Sequence, residues 1–293
     1  MSELTRRVAF GVIAAPIVIA IVLAGGAALA GLLAVASAIA AWEFFRLARA
    51  AGHTPFGDLG AALAGLLPLA VHARYLGLVQ PRLVYLAIVV LLLLTLAIWM
   101  RGTAGKPIGA VATTLMGVVY TGALLSFAYA IRYHDYAIGG MTVGPVPIAA
   151  GGVLLGLPII LTWATDSGAY FVGRAVGGRK LIPAVSPGKT VAGAVGGVVV
   201  SIVVTWLYVT FLLRPAAQLT MTPLALIAFG ALISVAAQVG DLVESLLKRE
   251  VGAKDSSTLL PGHGGVLDRL DSLFFVLPVA HLLLGWMLIP APR

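Results

Sequence analysis

The sequence predicts an all-α, polytopic integral membrane protein with about nine transmembrane helices. Of its 293 residues, 60% are hydrophobic and only 10% are charged, and the mean hydropathy is +1.06. Soluble domains contain roughly 45–50% apolar residues, so this chain lies far outside their range. Several uninterrupted apolar runs reach the roughly 20 residues that a helix needs to cross a bilayer. The alternation over roughly 10-residue units that is typical of an outer-membrane barrel is absent.

Nine apolar spans follow one another along the chain, and proline or glycine marks most of the breaks between them. Their approximate bounds are 8–24, 27–45, 59–78, 82–100, 109–131, 146–173, 190–213, 223–247 and 266–289. We interpret the first as an uncleaved helix and not as a signal peptide, because the apolar character continues into the second span. Within one membrane unit, residues 1–131 are expected to form a scaffold and residues 132–293 to carry the catalytic loops.

The distribution of basic residues predicts how the chain lies in the membrane. Lysine and arginine collect on the cytoplasmic loops of membrane proteins. With a cytoplasmic N-terminus, nine spans place 14 of the 19 Lys and Arg residues on the cytoplasmic side. We therefore expect a multi-pass protein of the cell's inner membrane, with its N-terminus and its active site facing the cytoplasm.

Net charge and cysteine content exclude several classes of function. The net charge of +8 would suit nucleic-acid binding, but no basic patch interleaved with aromatic residues resembles a base-stacking platform. Contact with anionic lipid headgroups explains the charge better. The chain has no cysteine, which excludes disulfides, thiolate nucleophiles and cysteine-ligated metal centres.

The most polar stretch, residues 245–271, lies between the last two apolar spans. It contains eight charged residues and a glycine-rich turn, and charges this dense at the end of a membrane bundle usually mark a functional site. On the helix that leads into it, Asp241, Glu244, Ser245 and Lys248 recur at helical spacing and share one face. We expect that face to point into the protein and not at lipid.

Three carboxylates in this part of the chain are suited to binding a divalent cation. Asp268 and Asp271 are three residues apart at the start of the last span, so they share a helix face. With Asp241 they form a predicted cluster of oxygen ligands, which Mg²⁺ would complete with substrate phosphates and water. The alternative is a buried ion-pair network, for instance Asp268 with Arg249, that pins two helices.

Positive charge and glycine surround these carboxylates and are suited to binding phosphate. The groups in this stretch are Lys248, Arg249, Lys254, Arg269, Gly264 and Gly265. A second polar loop, residues 174–189, follows the sixth span; two spans separate it from the first, so both should emerge on the same face and build one site. Its Lys189-Thr190 pair lacks a preceding Walker motif, which excludes a P-loop ATPase.

Three further polar residues each have two interpretations. Asp166, at the end of the sixth span, is either a site residue, which we favour, or the partner of Arg174. His263 either contacts phosphate or stabilises its turn. Glu43, in the second span, is interpreted as a local ion-pair partner of Arg46.

Two blocks of these residues resemble the signature of the phosphatidate cytidylyltransferase family, also called CDP-diacylglycerol synthases. Together they cover the C-terminal third to half of the chain. The downstream block consists of Ser245, Lys248, Arg249, Lys254, Asp255, Pro261, His263, Gly264, Gly265, Asp268, Arg269 and Asp271. The upstream block runs from Asp166 through Gly173, Arg174, Lys180, Leu181, Pro183, Ser186 and Pro187 to Lys189 and Thr190.

One position departs from the family's pattern. Ala192 stands where the family usually has a glutamate two positions after the Lys-Thr pair. That glutamate is therefore dispensable here, or another group supplies its contact.

The resemblance implies transfer of CMP from CTP to phosphatidic acid, which gives CDP-diacylglycerol and pyrophosphate for phospholipid synthesis. It implies that Asp241, Asp268 and Asp271 hold Mg²⁺, with a second cation, monovalent or divalent, left open, and that Lys248 is catalytic beside them. The residues implied to bind substrate are Asp166, Arg174, Ser186, Lys189, Thr190, Ser245, Arg249, Lys254, Asp255, His263, Gly264, Gly265 and Arg269. The implied partners are CTP, phosphatidic acid, membrane lipid and a second copy of the chain in a homodimer, with no nucleic acid.

Two alternatives stay open on the sequence. A secondary transporter would also place Asp and Arg in membrane helices, although the chain shows no paired inverted repeat and its charges cluster at one interface. A related enzyme would act on another lipid phosphate or use another nucleotide.

Overall fold

The computed structural model describes residues 3–80, 82–135, 140–143, 146–260, 262 and 264–291, and most of these residues are helical. Nine long helices account for the helical part of these ranges. They are α1 (Glu3–Ala24), α2 (Gly26–Ala50), α3 (Gly57–Tyr75), α4 (Leu83–Met100), α5 (Pro107–Arg132), α6 (Ala150–Val176), α7 (Val191–Ala217), α8 (Pro223–Glu250) and α9 (Leu267–Met287).

Each helix begins and ends within a few residues of a predicted span. Within the described ranges, seven of them, α2 and α4 to α9, are long and apolar enough to cross a membrane. In α3 the polar Asp58, His72 and Arg74 lower the hydropathy, and α1 contributes the shorter apolar helix Ala14–Ala24. The prediction of an all-α, multi-span membrane protein is confirmed, whereas nine membrane-crossing helices stay a prediction.

Helix α4 shows most clearly the exposed apolar surface that is typical of a helix in contact with lipid. Its 18 residues are almost all aliphatic, yet only 11% of them are buried inside the protein. Leu83 and Ile98 are 82% and 66% exposed. A fully apolar helix with so little protein cover is typical of a membrane span and not of a water-facing helix.

The chain folds into two compact units. Unit 1 consists of Met1–Ala14, Gly26–Tyr129 and Leu247–Arg269, and unit 2 consists of Ala15–Gly25, Ala130–Leu246 and Leu270–Arg293. Unit 1 therefore joins most of the predicted scaffold to most of the polar stretch. The division of labour between scaffold and catalytic helices stays a prediction.

Unit 1 is built around helix α2, whose small and aromatic residues form a buried face. Ser37, Ala40 and Ala41 are fully buried along this face. Phe44 then packs edge-on against Phe45 and Tyr120, with ring centroids 5.5 and 6.1 Å apart. Edge-to-face pairs are a favourable arrangement of aromatic rings, and the Phe44–Tyr120 pair joins α2 to α5.

Unit 2 is built around the helix pair α6 and α7. The two strands β3 (Lys180–Ile182) and β4 (Ser186–Thr190) connect them as an antiparallel hairpin, in which Lys180 lies opposite Thr190. Two further antiparallel strand pairs are β1 (Gly140–Val143) with β2 (Val146–Ala149), which are adjacent in the chain, and β5 (Leu219–Thr220) with β6 (Ile289–Pro290), which are distant in it. The β3–β4 hairpin matters most, because it carries part of the predicted site.

Candidate functional site

Each unit contains one cluster of charged side chains that includes predicted site residues. The cavity cluster, in unit 2, consists of Asp166, Lys189 and Asp241. The loop cluster, in unit 1, consists of Glu43, Lys248, Ser256, Ser257 and Asp268. The two clusters differ in solvent exposure and in the groups that pair with or donate hydrogen bonds to their carboxylates.

The cavity cluster lies in a cavity of about 790 Å³ that α6, α7, α8 and the β3–β4 hairpin line. Sites for small molecules and cofactors have volumes of roughly 300–1,000 Å³, so this cavity has room for a nucleotide. Its charged lining residues are Asp166, Arg174, Lys180, Lys189 and Asp241. The apolar Ala169, Leu181 and Ala194 also line it, which suits a ligand with both charged and apolar parts.

Local structure explains how Lys189 reaches this cavity. The next residue, Thr190, caps helix α7, because its Oγ1 accepts a hydrogen bond of 3.1 Å from the backbone N–H of Gly193. A threonine at this position stabilises a helix start. Gly193 lacks a side chain where α7 meets α6: a Cβ there would lie 2.6 Å from the carbonyl oxygen of Ala169. The cap and this close approach hold the end of the hairpin against α6.

Within the cavity, Lys189 and Asp241 form an ion pair with 2.7 Å between Nζ and Oδ2, and their side chains are 27% and 33% exposed. The other carboxylate oxygen of Asp241 accepts a hydrogen bond of 3.2 Å from the hydroxyl of Ser245, one turn later on α8. Asp166 interacts electrostatically with both partners, repelled by Asp241 and attracted by Lys189. The cavity therefore holds two carboxylates that both interact with Lys189, and Arg174 and Lys180 add further positive charge to its lining.

Arg174 makes a different contact from the one that its spacing suggested. Its Nη1 donates a hydrogen bond of 2.8 Å to the hydroxyl of Tyr170, one turn earlier. Asp166 instead shares the cavity with Lys189 and Asp241. The pair between Asp166 and Arg174 is not formed, and the role of Asp166 as a site residue stays a prediction.

In the loop cluster, Lys248 and Asp268 form an ion pair of 2.6 Å, and their side chains are only 11% and 4% exposed. The second oxygen of Asp268 accepts hydrogen bonds from the backbone N–H of Ser256 (2.9 Å), the hydroxyl of Ser256 (2.8 Å) and the backbone N–H of Gly265 (2.7 Å). Both oxygens are therefore occupied. The alternative of a buried network is correct in kind, although Lys248 and not Arg249 is the partner.

Glu43 is the residue that sequence reasoning misread. It is fully buried, and its carboxylate accepts four hydrogen bonds, from the hydroxyls of Ser256 and Ser257 and from the backbone N–H groups of Val266 and Leu267. The predicted pair with Arg46 is wrong, since the Arg46 guanidinium stacks on Trp42 at 4.8 Å. The sequence feature that could have revealed this role is a carboxylate within an apolar segment, because a charge buried in a membrane helix requires a partner.

The predicted cluster of three carboxylates needs a correction. Within the ranges that the structure describes, no group of three or more His, Asp or Glu side chains is arranged to hold a metal ion. The reason is visible at Asp268, whose oxygens are occupied by Lys248 and by loop donors. Asp268 and Asp271 are three residues apart on α9, but this spacing does not show which hydrogen-bond donors the preceding loop supplies.

The other two carboxylates of that set belong to unit 2. Asp271 Oδ1 accepts a hydrogen bond of 2.6 Å from the backbone N–H of Ser272. The backbone of α9 at this point packs on Gly240 of α8, where a Cβ would lie 2.7 Å from the carbonyl oxygen of Asp271. Because Gly240 directly precedes Asp241, this approach brings Asp241 and Asp271 to the same level of unit 2.

The remaining predicted residues fall into three groups. Lys254, Asp255 and Arg269 are exposed, and the exposed Arg249 donates a hydrogen bond of 2.8 Å to the carbonyl oxygen of Ala253. Ser186 lies in β4 opposite Ile182. The prediction for His263 falls outside the described residues, while Gly264 and Gly265 flank the loop cluster.

Comparison with known proteins identifies the family. The model of the Cytidylyltransferase family matches residues 5–287. The chain belongs to this family. It is 32% identical over 288 residues to the phosphatidate cytidylyltransferase of Bacillus subtilis (strain 168), covering 97% of this chain and 99% of the relative. Family membership confirms the resemblance found in the motifs and favours an enzyme over the transporter alternative.

Two further relatives match shorter parts of the chain at higher identity. The phosphatidate cytidylyltransferase of Haemophilus influenzae (strain ATCC 51907) is 48% identical over 132 residues, which is 44% of each chain. That of Staphylococcus saprophyticus is 45% identical over 125 residues, 43% of this chain and 46% of the relative.

Proposed function

We propose that this protein transfers CMP from CTP to phosphatidic acid, giving CDP-diacylglycerol and pyrophosphate for phospholipid synthesis. The supporting similarity extends over 97% of the chain to a relative named phosphatidate cytidylyltransferase. The observation that carries the proposal is the cavity of unit 2, where the partly exposed pair Lys189–Asp241 lies beside Asp166 and the β3–β4 hairpin. A multi-span protein with a polar cavity of this size suits a reaction between a nucleotide and a membrane lipid.

The chemistry of this reaction determines what the site must supply. A phosphate oxygen of phosphatidate attacks the α-phosphorus of CTP in line, and a new P–O bond forms. The bond from the α-phosphorus to the oxygen that bridges the α- and β-phosphates breaks, and pyrophosphate leaves with that oxygen. The nucleophile is already an anion near neutral pH, so the site needs no strong general base. Since two anions must approach each other, neutralisation of charge is the main requirement.

The cationic side chains of the cavity meet this requirement. Lys189, Lys180 and Arg174 all line it. Because both side chains of the Lys189–Asp241 pair are partly exposed in the cavity, a phosphate oxygen can reach the Lys189 ammonium and compete with Asp241 for it. Gly177 and Gly178, just before the hairpin, and Gly188 within it also line the cavity, and without side chains they leave their backbone N–H groups open to close approach by phosphate. We therefore assign Lys189 to binding substrate phosphate.

The carboxylates of the cavity fit a magnesium ion. Mg²⁺ binds through one or two carboxylates together with substrate phosphates and water, and Asp166 and Asp241 supply two oxygen ligands that line one cavity. We assign the ion to Asp241 and Asp166. When bound, Mg²⁺ neutralises charge on the phosphates.

The residues of unit 1 take a different role in this proposal. The exposed Arg249, Lys254 and Arg269 of the Leu247–Arg269 segment are assigned to contacts with anionic substrate groups. Lys248 and Asp268, which are almost fully buried, are assigned to holding this segment in its conformation. We also propose that the site faces the cytoplasm, on the bias of basic residues, and that the membrane is the inner membrane of the cell. From the resemblance to the family we propose a homodimer.

The proposal is tested with purified protein in lipid nanodiscs. CTP, dCTP or ATP is supplied with phosphatidate, with Mg²⁺ or with EDTA, and CDP-diacylglycerol and pyrophosphate are both quantified. We expect product with CTP and Mg²⁺, its loss with EDTA and its return when Mg²⁺ is added in excess. Absence of CDP-diacylglycerol under every condition would refute the proposed reaction, and product that persists in EDTA would refute the magnesium requirement.

A further inference from the structure

Glu43 lies on α2, in the part of the chain predicted to be a scaffold, yet its carboxylate contacts the loop that carries the downstream motif. Two of its hydrogen bonds come from Ser256 and Ser257 at the start of this loop, at 3.2 and 2.5 Å. The other two come from Val266 and Leu267 at its end, at 3.1 and 2.6 Å. One buried carboxylate thus holds both ends of residues 256–267.

The end of this loop is also the start of α9. The first N–H groups of a helix have no partner inside the helix and carry partial positive charge. Glu43 accepts from two of these groups, at Val266 and Leu267, from a position 223 and 224 residues away in the sequence. It therefore supplies the anionic cap that a neighbouring residue usually provides.

The hydroxyl of Ser256 links Glu43 to the Lys248–Asp268 pair. It lies 3.2 Å from Glu43 Oε2 and 2.8 Å from Asp268 Oδ2. Gly265 passes between these groups, and a Cβ there would collide with the Ser256 hydroxyl and lie 2.5 Å from Glu43 Oε1. The loop follows this path only because residue 265 is glycine and because the carboxylates of Glu43 and Asp268 accept hydrogen bonds from its N–H and hydroxyl groups.

We propose that Glu43 is a positioning residue for the CMP transfer, which orders residues 256–260 and 264–267 and the start of α9 so that Arg269, in the first turn of α9, meets substrate. The inference rests on the proposed function. It assigns a part in the reaction to the N-terminal half of the chain, for which the sequence indicated only a scaffold.

The substitution Glu43→Gln tests this inference because it preserves size and removes an acceptor. Serine hydroxyls can rotate, but a backbone N–H cannot accept a hydrogen bond. Whichever way the amide turns, its NH₂ group faces the N–H of Val266 or that of Leu267. One buried N–H group is then left without an acceptor. We expect the equilibrium constant for local opening of the loop to rise about 10- to 100-fold.

The first measurement is hydrogen–deuterium exchange of the full-length protein without substrate. We expect exchange in the peptide that covers residues 256–267 to be about 10- to 100-fold faster in Glu43→Gln, with helices α3 and α4 unchanged. The matched control is Glu250→Gln, the same chemical change at an exposed position at the end of α8. Unchanged exchange in the loop, or an equal increase throughout unit 1, would overturn the inference.

The second measurement separates positioning from general destabilisation. An enzyme that is only less stable retains the KM of its folded fraction, whereas a disordered binding loop changes KM. We expect Glu43→Gln to raise the KM for CTP about tenfold, Glu43→Asp to recover part of this loss, and Ser257→Ala to give a smaller change in the same direction. Wild-type KM values in all three variants would overturn the inference while leaving the proposed function intact. Absence of CMP transfer in the wild-type protein would instead refute the proposed function, whatever the exchange data show.

Discussion

The two units each contain a lysine–aspartate pair of nearly the same length in very different surroundings. Lys189 and Asp241 are 2.7 Å apart, with side chains 27% and 33% exposed in an open cavity. Lys248 and Asp268 are 2.6 Å apart, with side chains 11% and 4% exposed. In the buried pair, the aspartate also accepts three hydrogen bonds from Ser256 and Gly265.

The difference teaches that an ion-pair distance does not reveal a function. A partly exposed pair in an open cavity can be reached by a ligand that competes for one partner, while a buried pair leaves an uncompensated charge when one partner is lost. We therefore assign the first pair to substrate and metal binding and the second to the conformation of its loop. The following experiments either sharpen this distinction or remove it.

The largest expected effect is at the carboxylates of unit 2. Asp241→Ala or Asp166→Ala should abolish turnover, a loss of at least about 100-fold, because the Mg²⁺ ion that neutralises the substrate phosphates would lose one of its two carboxylate ligands. Thermal stability should change little for Asp241, whose side chain is 33% exposed. The assay is CDP-diacylglycerol formation by the purified variants, with Asp58→Asn, an exposed carboxylate on α3, as the control. Substantial product from either alanine variant would refute the metal role.

Lys189 should give the next largest effect. Replacement by methionine keeps the apolar stem and removes the charge, and we expect kcat/KM for CTP to fall about 100-fold. Lys189→Arg should retain more activity, because the positive charge is preserved. If the methionine variant were as active as wild type, phosphate binding at Lys189 would be untenable.

Asp268→Asn should affect stability more than chemistry. Removing one partner of a buried pair costs about 3–5 kcal/mol, since the Lys248 ammonium stays buried without its counter-charge. We expect a lower Tm and faster deuterium exchange in residues 247–269. The double variant Lys248→Met with Asp268→Asn should recover part of the stability. A variant with full stability and no activity would show that Asp268 belongs with Asp241 instead.

The smallest expected effect is at Ser245. Its hydroxyl donates one partly exposed hydrogen bond of 3.2 Å to Asp241, and such a bond contributes about 0.5–1.5 kcal/mol. Ser245→Ala should therefore lower kcat/KM only a few-fold, with Tm unchanged. A loss as large as that of Asp241→Ala would mean that Ser245 contacts substrate directly.

Much of this architecture could be predicted because it depends on local properties of the chain. Hydropathy located the helices to within a few residues, and spacing placed Asp241 and Ser245 on one face, where the structure shows their hydrogen bond. Motif residues singled out the upstream polar loop and Lys189, which in the structure lines a cavity together with Asp166 and Asp241, although the hairpin that this loop forms was not predicted. The choice of partner at Asp268 and the role of Glu43 could not be obtained in this way.

By itself, the sequence determined that this protein is a multi-span membrane protein with its ionisable residues concentrated near helix ends, because membrane helices exclude charge. Only the tertiary structure decided which lysine meets which aspartate, and that Glu43 holds a loop 224 positions away. The physical reason is that a buried carboxylate takes whatever donors packing brings within about 3 Å. Those donors are mainly backbone N–H groups, which every residue except proline carries and which no motif can distinguish.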